Sequence, residues 1–254
     1  LGFYMFYLKI IISFIFVIFP IFSKADTLTH YPQLSDKSNK AVVLMYHRIS
    51  HKKSSMTLQP ESFDQEMSYL HDNHYNVISS MTLVDAIRNK KELPKKSVVI
   101  TFDDGWESQL YAMKTLQKYH YPATFALITE CADKHGYIRK TDMNFYKNED
   151  FLYVNHSRTH DVKDFLNNPD YDVPISKKEL YAITQKFVPI YVYPYGSKNN
   201  KLVEDIKKNG YIAAFGVNDN VIHINNTNIY NMNRYLINDK ITIHDFQKIV
   251  SNVD

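Results

Sequence analysis

Short apolar runs alternate with stretches of helical periodicity along most of this chain. Ala41–Tyr46, Ser97–Phe102, Ala123–Ile128, Phe151–Val154, Pro189–Tyr193 and Tyr211–Phe215 are compact apolar runs between polar or turn residues. That pattern predicts buried strands. Val77–Ile78, Val221–Ile224 and Tyr235–Ile237 read as shorter ones. Between them, Glu61–Tyr75 places Phe63, Met67 and Leu70 at helical spacing, and Ser108–Tyr119 does so with Leu110, Met113 and Leu116. Thr82-Leu83-Val84-Asp85 reads as a capping box opening a helix with Leu83, Ala86 and Ile87 inward. Lys134–Asn148 reads as an insertion with one short helix. Asn167–Pro174, with two prolines, reads as a loop, after which Ser176 and Glu179 cap a helix to Phe187. Asn199–Asn209 is a helix stopped by Gly210, and Thr242 caps the last one. Alternating strands and helices predict an α/β fold of parallel βαβ units, either a barrel or an open sheet.

The first 25 residues do not fit this pattern. Lys9 precedes an unbroken apolar run from Ile10 to Phe22, followed by Ser23-Lys24-Ala25, a small-x-small cleavage pattern. This predicts a secretory signal peptide over 1–25, with a retained membrane anchor as the competing reading; the run is short for a full span. Residues 26–40 read as a polar leader and 41–254 as one α/β domain. The expectation is therefore an exported protein, periplasmic, extracellular or in the cell envelope, with room for loose membrane association.

Composition changes the picture little. In 254 residues, 44% are hydrophobic and 22% charged, ordinary for a globular domain. A net charge of +3 and the lack of a long Lys/Arg run give no argument for nucleic acid. One cysteine, Cys131, excludes a disulfide within the chain and a thiolate zinc site.

The candidate chemistry lies at strand ends. The run Ser97–Phe102 stops at Asp103-Asp104-Gly105. Two carboxylates at the end of a buried strand need compensation, and a metal ion is the usual one. Neighbouring side chains of an extended chain point to opposite sides, so one aspartate would bind the ion and the other work beside it. His156-Ser157-Arg158-Thr159-His160 places two histidines at i and i+4, on one face if that stretch makes a helical turn. With Asp104 they form an Asp-His-His set, the open ligand count of a catalytic site. His47, Asp103, Asp104, His156 and Pro194-Tyr195 all follow predicted strands, and in a barrel those ends converge.

Thr101-Phe102-Asp103-Asp104-Gly105, His156-Ser157-Arg158-Thr159-His160 and Tyr193-Pro194-Tyr195-Gly196 together resemble the NodB-homology polysaccharide deacetylases, carbohydrate esterase family 4. Val43-Leu44-Met45-Tyr46-His47-Arg48-Ile49 resembles the subgroup that deacetylates poly-N-acetylglucosamine exopolysaccharides. The resemblance runs from about Ala41 to the C-terminus and implies a distorted (β/α) barrel, often short of eight units. It implies hydrolysis of N-acetyl groups on a β-linked N-acetylglucosamine polysaccharide. Peptidoglycan is the alternative substrate, and an O-acetyl esterase or a non-catalytic sugar-binding protein are the alternative functions.

The resemblance also implies roles. Asp104, His156 and His160 would hold one divalent metal; zinc suits the mixed N/O set, with cobalt, nickel and iron as alternatives. Asp103 would be the general base. The backbone N–H of Tyr195, in a loop set by Pro194, would stabilise the oxyanion. The proton donor to the leaving amine would be His47, the motif order being permuted in this subgroup, with His244 as the alternative. The usual arginine two residues before the Pro of the third motif is Val192 here, and Arg234 is the candidate replacement, against a surface salt bridge. Trp106 would flank the sugar groove or pack in the core.

Overall fold

The computed structural model describes residues 37–146 and 150–254. The segment read as a signal peptide, and most of the leader, lie outside the described residues. The leader is shorter than its composition suggests: Lys37–Ser38 already pairs antiparallel with Leu93–Pro94.

Six strands make the frame: β1 Lys40–Tyr46, β2 Ser97–Phe102, β3 Ala123–Leu127, β4 Phe151–Asn155, β5 Ile190–Val192 and β6 Ala213–Phe215. They lie parallel in the spatial order β6-β5-β4-β3-β2-β1, with Leu44 opposite Ile100 and Thr124 opposite Leu152. Every residue of Ala41–Tyr46 and Ser97–Phe102 is buried, because both faces of the sheet are covered. Alternation then sorts the side chains. Val42, Leu44, Tyr46, Ile100 and Phe102 pack outward against α1 (Pro60–Asp72), α3 (Gln109–Tyr119) and the last helix, Ile243–Ser251. Val43, Val99, Ala126, Val154 and Phe215 share a second cluster with Leu83, Val84 and Ile87 of α2 (Ser80–Asn89).

The sheet curls, and one segment draws its ends together. The Met232 N–H donates to Ala214 O and the Gly216 N–H to Met232 O, both at 2.9 Å. A few residues on, β7 (Tyr235–Leu236) pairs parallel with Leu44 and Met45 of β1. The stretch from Met232 to Ile237 thus links β6 to β1, giving the distorted barrel expected from the sequence.

Two helix starts differ from expectation. In α2 the cap is Ser79, whose hydroxyl accepts the Thr82 N–H at 3.0 Å, so Thr82 sits inside the first turn. Asp85 pairs instead with Lys91 at the other end. The helix expected from Ser176 begins at Pro169 and runs to Thr184, with Pro174 inside it. Pro169 stands at the first helical position, where its missing N–H costs nothing. Pro174 forfeits only the bond to the carbonyl of exposed Asp170, which water can satisfy. Glu179, freed from any cap, accepts from Thr129 Oγ1 at 2.6 Å and Arg158 Nε at 3.1 Å.

Candidate active site

Beyond Phe102 the backbone turns through two residues of positive φ, Asp104 at 72° and Gly105 at 74°. A Cβ on Gly105 would lie 2.7 Å from the Leu127 Cδ2 methyl, which would have to swing aside, so glycine suits both the positive φ and the contact with β3. The turn sends the two carboxylates to different surroundings. Asp103 is buried; Asp104 reaches into a cleft of about 780 Å³ at the carboxyl ends of the strands.

The two histidines follow β4 on a loop, not on the helical turn that their spacing suggested. Polar side chains take the backbone donors a helix would use. Asn155 Oδ1 accepts the Ser157 N–H at 2.8 Å, and Ser157 Oγ accepts the His160 N–H at 3.0 Å. Ser157 and His160 adopt positive φ, and Asp172 Oδ2 accepts the Arg158 N–H at 3.0 Å. The loop still turns both rings towards Asp104. Nε2 of His156 and Nε2 of His160 each lie 3.5 Å from Asp104 Oδ1. His156 Nδ1 lies 2.8 Å from the Val192 carbonyl. Only a protonated Nδ1 can bond there, which in the neutral ring leaves Nε2 with its lone pair.

This donor set fits a divalent ion. One ligand atom from each of Asp104, His156 and His160 falls within 4.8 Å of the others, and no other such cluster occurs among the described residues. Burial, reinforced by neighbouring His156, lowers the His160 pKa to about 4, so its ring stays neutral and able to ligate. Burial alone would raise Asp104; the adjoining histidines outweigh it and hold the carboxyl well below the usual range.

Asp103 is gripped by Arg234. Nη1 donates to Oδ1 and Nη2 to Oδ2, each at 2.7 Å, while Nε donates to Gly216 O. Arg234 is fully buried, so the surface-salt-bridge reading does not apply. Burial would raise the Asp103 pKa, but this guanidinium and the nearby histidines keep it lowered.

His47 follows β1 and lines the same cleft, with Nδ1 unpartnered among the described residues. Burial lowers its pKa against the opposing pull of Asp103 and Asp104. His244 is exposed at the start of the last helix and does not line the cleft. Pro194 opens a single tight turn in which Tyr195 takes φ 56°, and its ring meets His160 edge-on at 4.3 Å. Tyr195 is 62% exposed at the cleft mouth. Trp106 also lines the cleft.

One buried residue escaped sequence reasoning. Gln109 Nε2 donates to the backbone carbonyls of both His47 (2.8 Å) and Asp103 (2.6 Å), fixing the ends of β1 and β2 relative to each other. The only signal was a glutamine in the first turn of a helix on its inward face.

Residues 90–214 match the family model described as polysaccharide deacetylase. This chain carries a polysaccharide deacetylase domain. Its similarity to known members extends beyond the matched span. It is 27% identical over 251 residues to Staphylococcus aureus proteins named poly-beta-1,6-N-acetyl-D-glucosamine N-deacetylase, covering 84% of this chain and 83% of theirs. It is 26% identical over 180 residues to YxkH of Bacillus subtilis, covering 70% of this chain but only 64% of that protein. Among solved structures, the fold superposes on the Streptococcus pyogenes deacetylase PplD with a TM-score of 0.76 at 22% identity, covering 83% and 98% of the two chains. IcaB from Ammonifex degensii gives 0.72 at 20%, covering 85% and 97%. Among the cleft residues, His47 and Arg234 lie outside the segment that matches the family model.

Proposed function

We propose that this protein is an exported, metal-dependent N-deacetylase that removes acetyl groups from a β-linked N-acetylglucosamine polysaccharide, with a poly-β-1,6-linked exopolysaccharide favoured. The observation that carries this reading is the convergence of Asp104, His156 and His160 beside the Asp103–Arg234 pair in one cleft. The names of the staphylococcal relatives support the polymer, and the apolar run Ile10–Phe22 supports export.

Amide hydrolysis needs an activated water, a stabilised oxyanion and a protonated leaving amine. A divalent ion, zinc by donor type, would be held by Asp104 Oδ1 and the two Nε2 atoms and would supply Lewis acidity to water and to the acetamide carbonyl. Asp103 accepts the proton as the water oxygen bonds to the carbonyl carbon. Arg234 keeps this base ionised and fixed in orientation while leaving lone pairs free on its two oxygens. The Tyr195 N–H is assigned to the developing oxyanion. As the C–N bond breaks, His47 delivers a proton to the nitrogen, giving acetate and a free amine.

The test is acetate release from a panel of polymers, including poly-β-1,6-N-acetylglucosamine and peptidoglycan, after chelation and again after zinc is restored. Release that returns only with metal, and fastest on the β-1,6 polymer, is expected. Fastest release from peptidoglycan would shift the substrate; no release from any polymer would overturn the reading. His156→Ala and His160→Ala should lose bound metal and activity together, since three ligands cannot spare one.

A further inference from the structure

Trp106 is the single tryptophan of the chain, and the sequence suggests a groove wall on which a sugar could stack. Its surroundings argue otherwise. The Arg48 guanidinium carbon sits 3.6 Å from its ring centroid, and the Tyr137 ring stacks at 4.6 Å with 22° between planes. The ring is thus sandwiched between the guanidinium and the phenol, which leaves no open π-face for a sugar. Backbone bonds lock the sandwich: the Glu107 N–H donates to Gly136 O and the Ile138 N–H to Gly105 O, at 2.9 and 2.8 Å. The indole is therefore fixed, and what it presents towards the site is its edge. Nε1–H donates to Asp104 Oδ2 at 2.9 Å.

That bond makes the two oxygens of Asp104 unequal. Oδ2 is tied to the indole; Oδ1 is the atom 3.5 Å from both histidine Nε2 atoms. A carboxylate can ligate a cation through one oxygen or both. We propose that Trp106 is a positioning residue that commits Asp104 to bind its metal through Oδ1 alone. A second Asp104 oxygen on the ion would fill a position that water or the acetamide oxygen must occupy, so the indole N–H keeps the centre open. This inference rests on reading Asp104, His156 and His160 as a metal site.

The test exploits the lone tryptophan. Growth of a tryptophan auxotroph on β-(3-benzothienyl)alanine replaces that residue with an isostere carrying sulfur in place of N–H. Apo protein with the analogue should keep its melting temperature, because shape and stacking persist. Its zinc dissociation constant, measured against a competing chelator, should rise about 10- to 100-fold, the usual loss when a partner of a metal ligand is removed. Zinc-edge X-ray absorption should show one Asp oxygen in the native protein and a second carboxylate oxygen drawn in with the analogue. Trp106→Phe should shift affinity in the same direction. Unchanged affinity and an unchanged absorption spectrum in the analogue would overturn the proposal while leaving the metal site standing. Failure of the native protein to bind zinc would overturn the metal reading and this inference together.

Discussion

Arg234 and Asp103 are joined by two parallel hydrogen bonds of 2.7 Å, with both side chains closed to solvent. Breaking such a pair leaves a buried charge without compensation, a loss of about 3–5 kcal/mol. Arg234→Met should therefore lower stability by roughly that amount in urea denaturation. Arg234→Lys keeps the charge but not the planar fork, so Asp103 stays ionised and loses its orientation. The expected result is retained zinc, milder destabilisation and a clear fall in turnover. Wild-type turnover in Arg234→Lys would show that Asp103 needs no orienting partner.

The two aspartates should separate by metal content. Asp103→Asn is expected to keep zinc and to lose about 10²–10⁴-fold in turnover, the usual cost of removing a general base. Asp104→Asn should weaken zinc binding. Atomic emission on the purified variants, beside acetate release, checks both; the opposite pattern would reverse the assignments.

His47 is tested by changing the leaving group. His47→Ala should retain zinc while deacetylation of N-acetyl oligosaccharides falls steeply. An aryl acetate leaves without needing a proton, so its hydrolysis should fall much less. His244→Ala should resemble the wild type on both substrates. If the contrast appears at His244 and not at His47, the proton donor has been misassigned.

A pH effect is expected far from the cleft. Glu66 on α1 is buried against Tyr46, whose hydroxyl donates to Oε2 at 2.7 Å. Burial raises its pKa to about 8, although the bond from Tyr46 pulls the other way. The folded state thus holds a proton that the unfolded chain releases near the ordinary value of 4.5. Where the folded state binds more protons, stability falls as pH rises, so this contribution is full below about pH 4.5 and lost by about pH 8. Urea midpoints at pH 5 and pH 8 should show a smaller decline for Glu66→Gln, whose carbonyl can still accept from Tyr46. Equal declines would place the titration elsewhere.

The strands were legible because each central one is covered on both faces and reads as an unbroken apolar run ending in a polar residue. Asp103, Asp104 and His156 could be found for the same reason: a charged or ligating side chain directly after such a run sits where desolvation is costly, and chemistry is what usually offsets that cost. The loop conformation of His156–His160 was not legible, since i, i+4 spacing suits a helix and a loop equally. Asn155 and Ser157 decide between them only through contacts that the sequence does not display. Arg234 lies 131 residues from its partner, so no local pattern could have told a buried fork from a surface pair. Pro169 and Pro174 were misread because proline marks a loop by statistics, yet fits a helix when it opens one or meets a solvated carbonyl.

The stretch Met232–Ile237 bonds to β6 on one side and β1 on the other, with Arg234 between the two contacts. Ribosomal synthesis delivers this stretch after every other residue of the cleft, and erosion from the carboxyl end removes it first. A nascent or clipped chain could therefore present all three metal ligands while Asp103 still lacked its guanidinium. Metal capture and hydrolytic competence would thereby be separated in time: the first would need the chain only through β5, whose Val192 carbonyl holds His156, and the second would wait for the seam to close. Turnover at this cleft would then certify a complete molecule, whereas bound zinc would not.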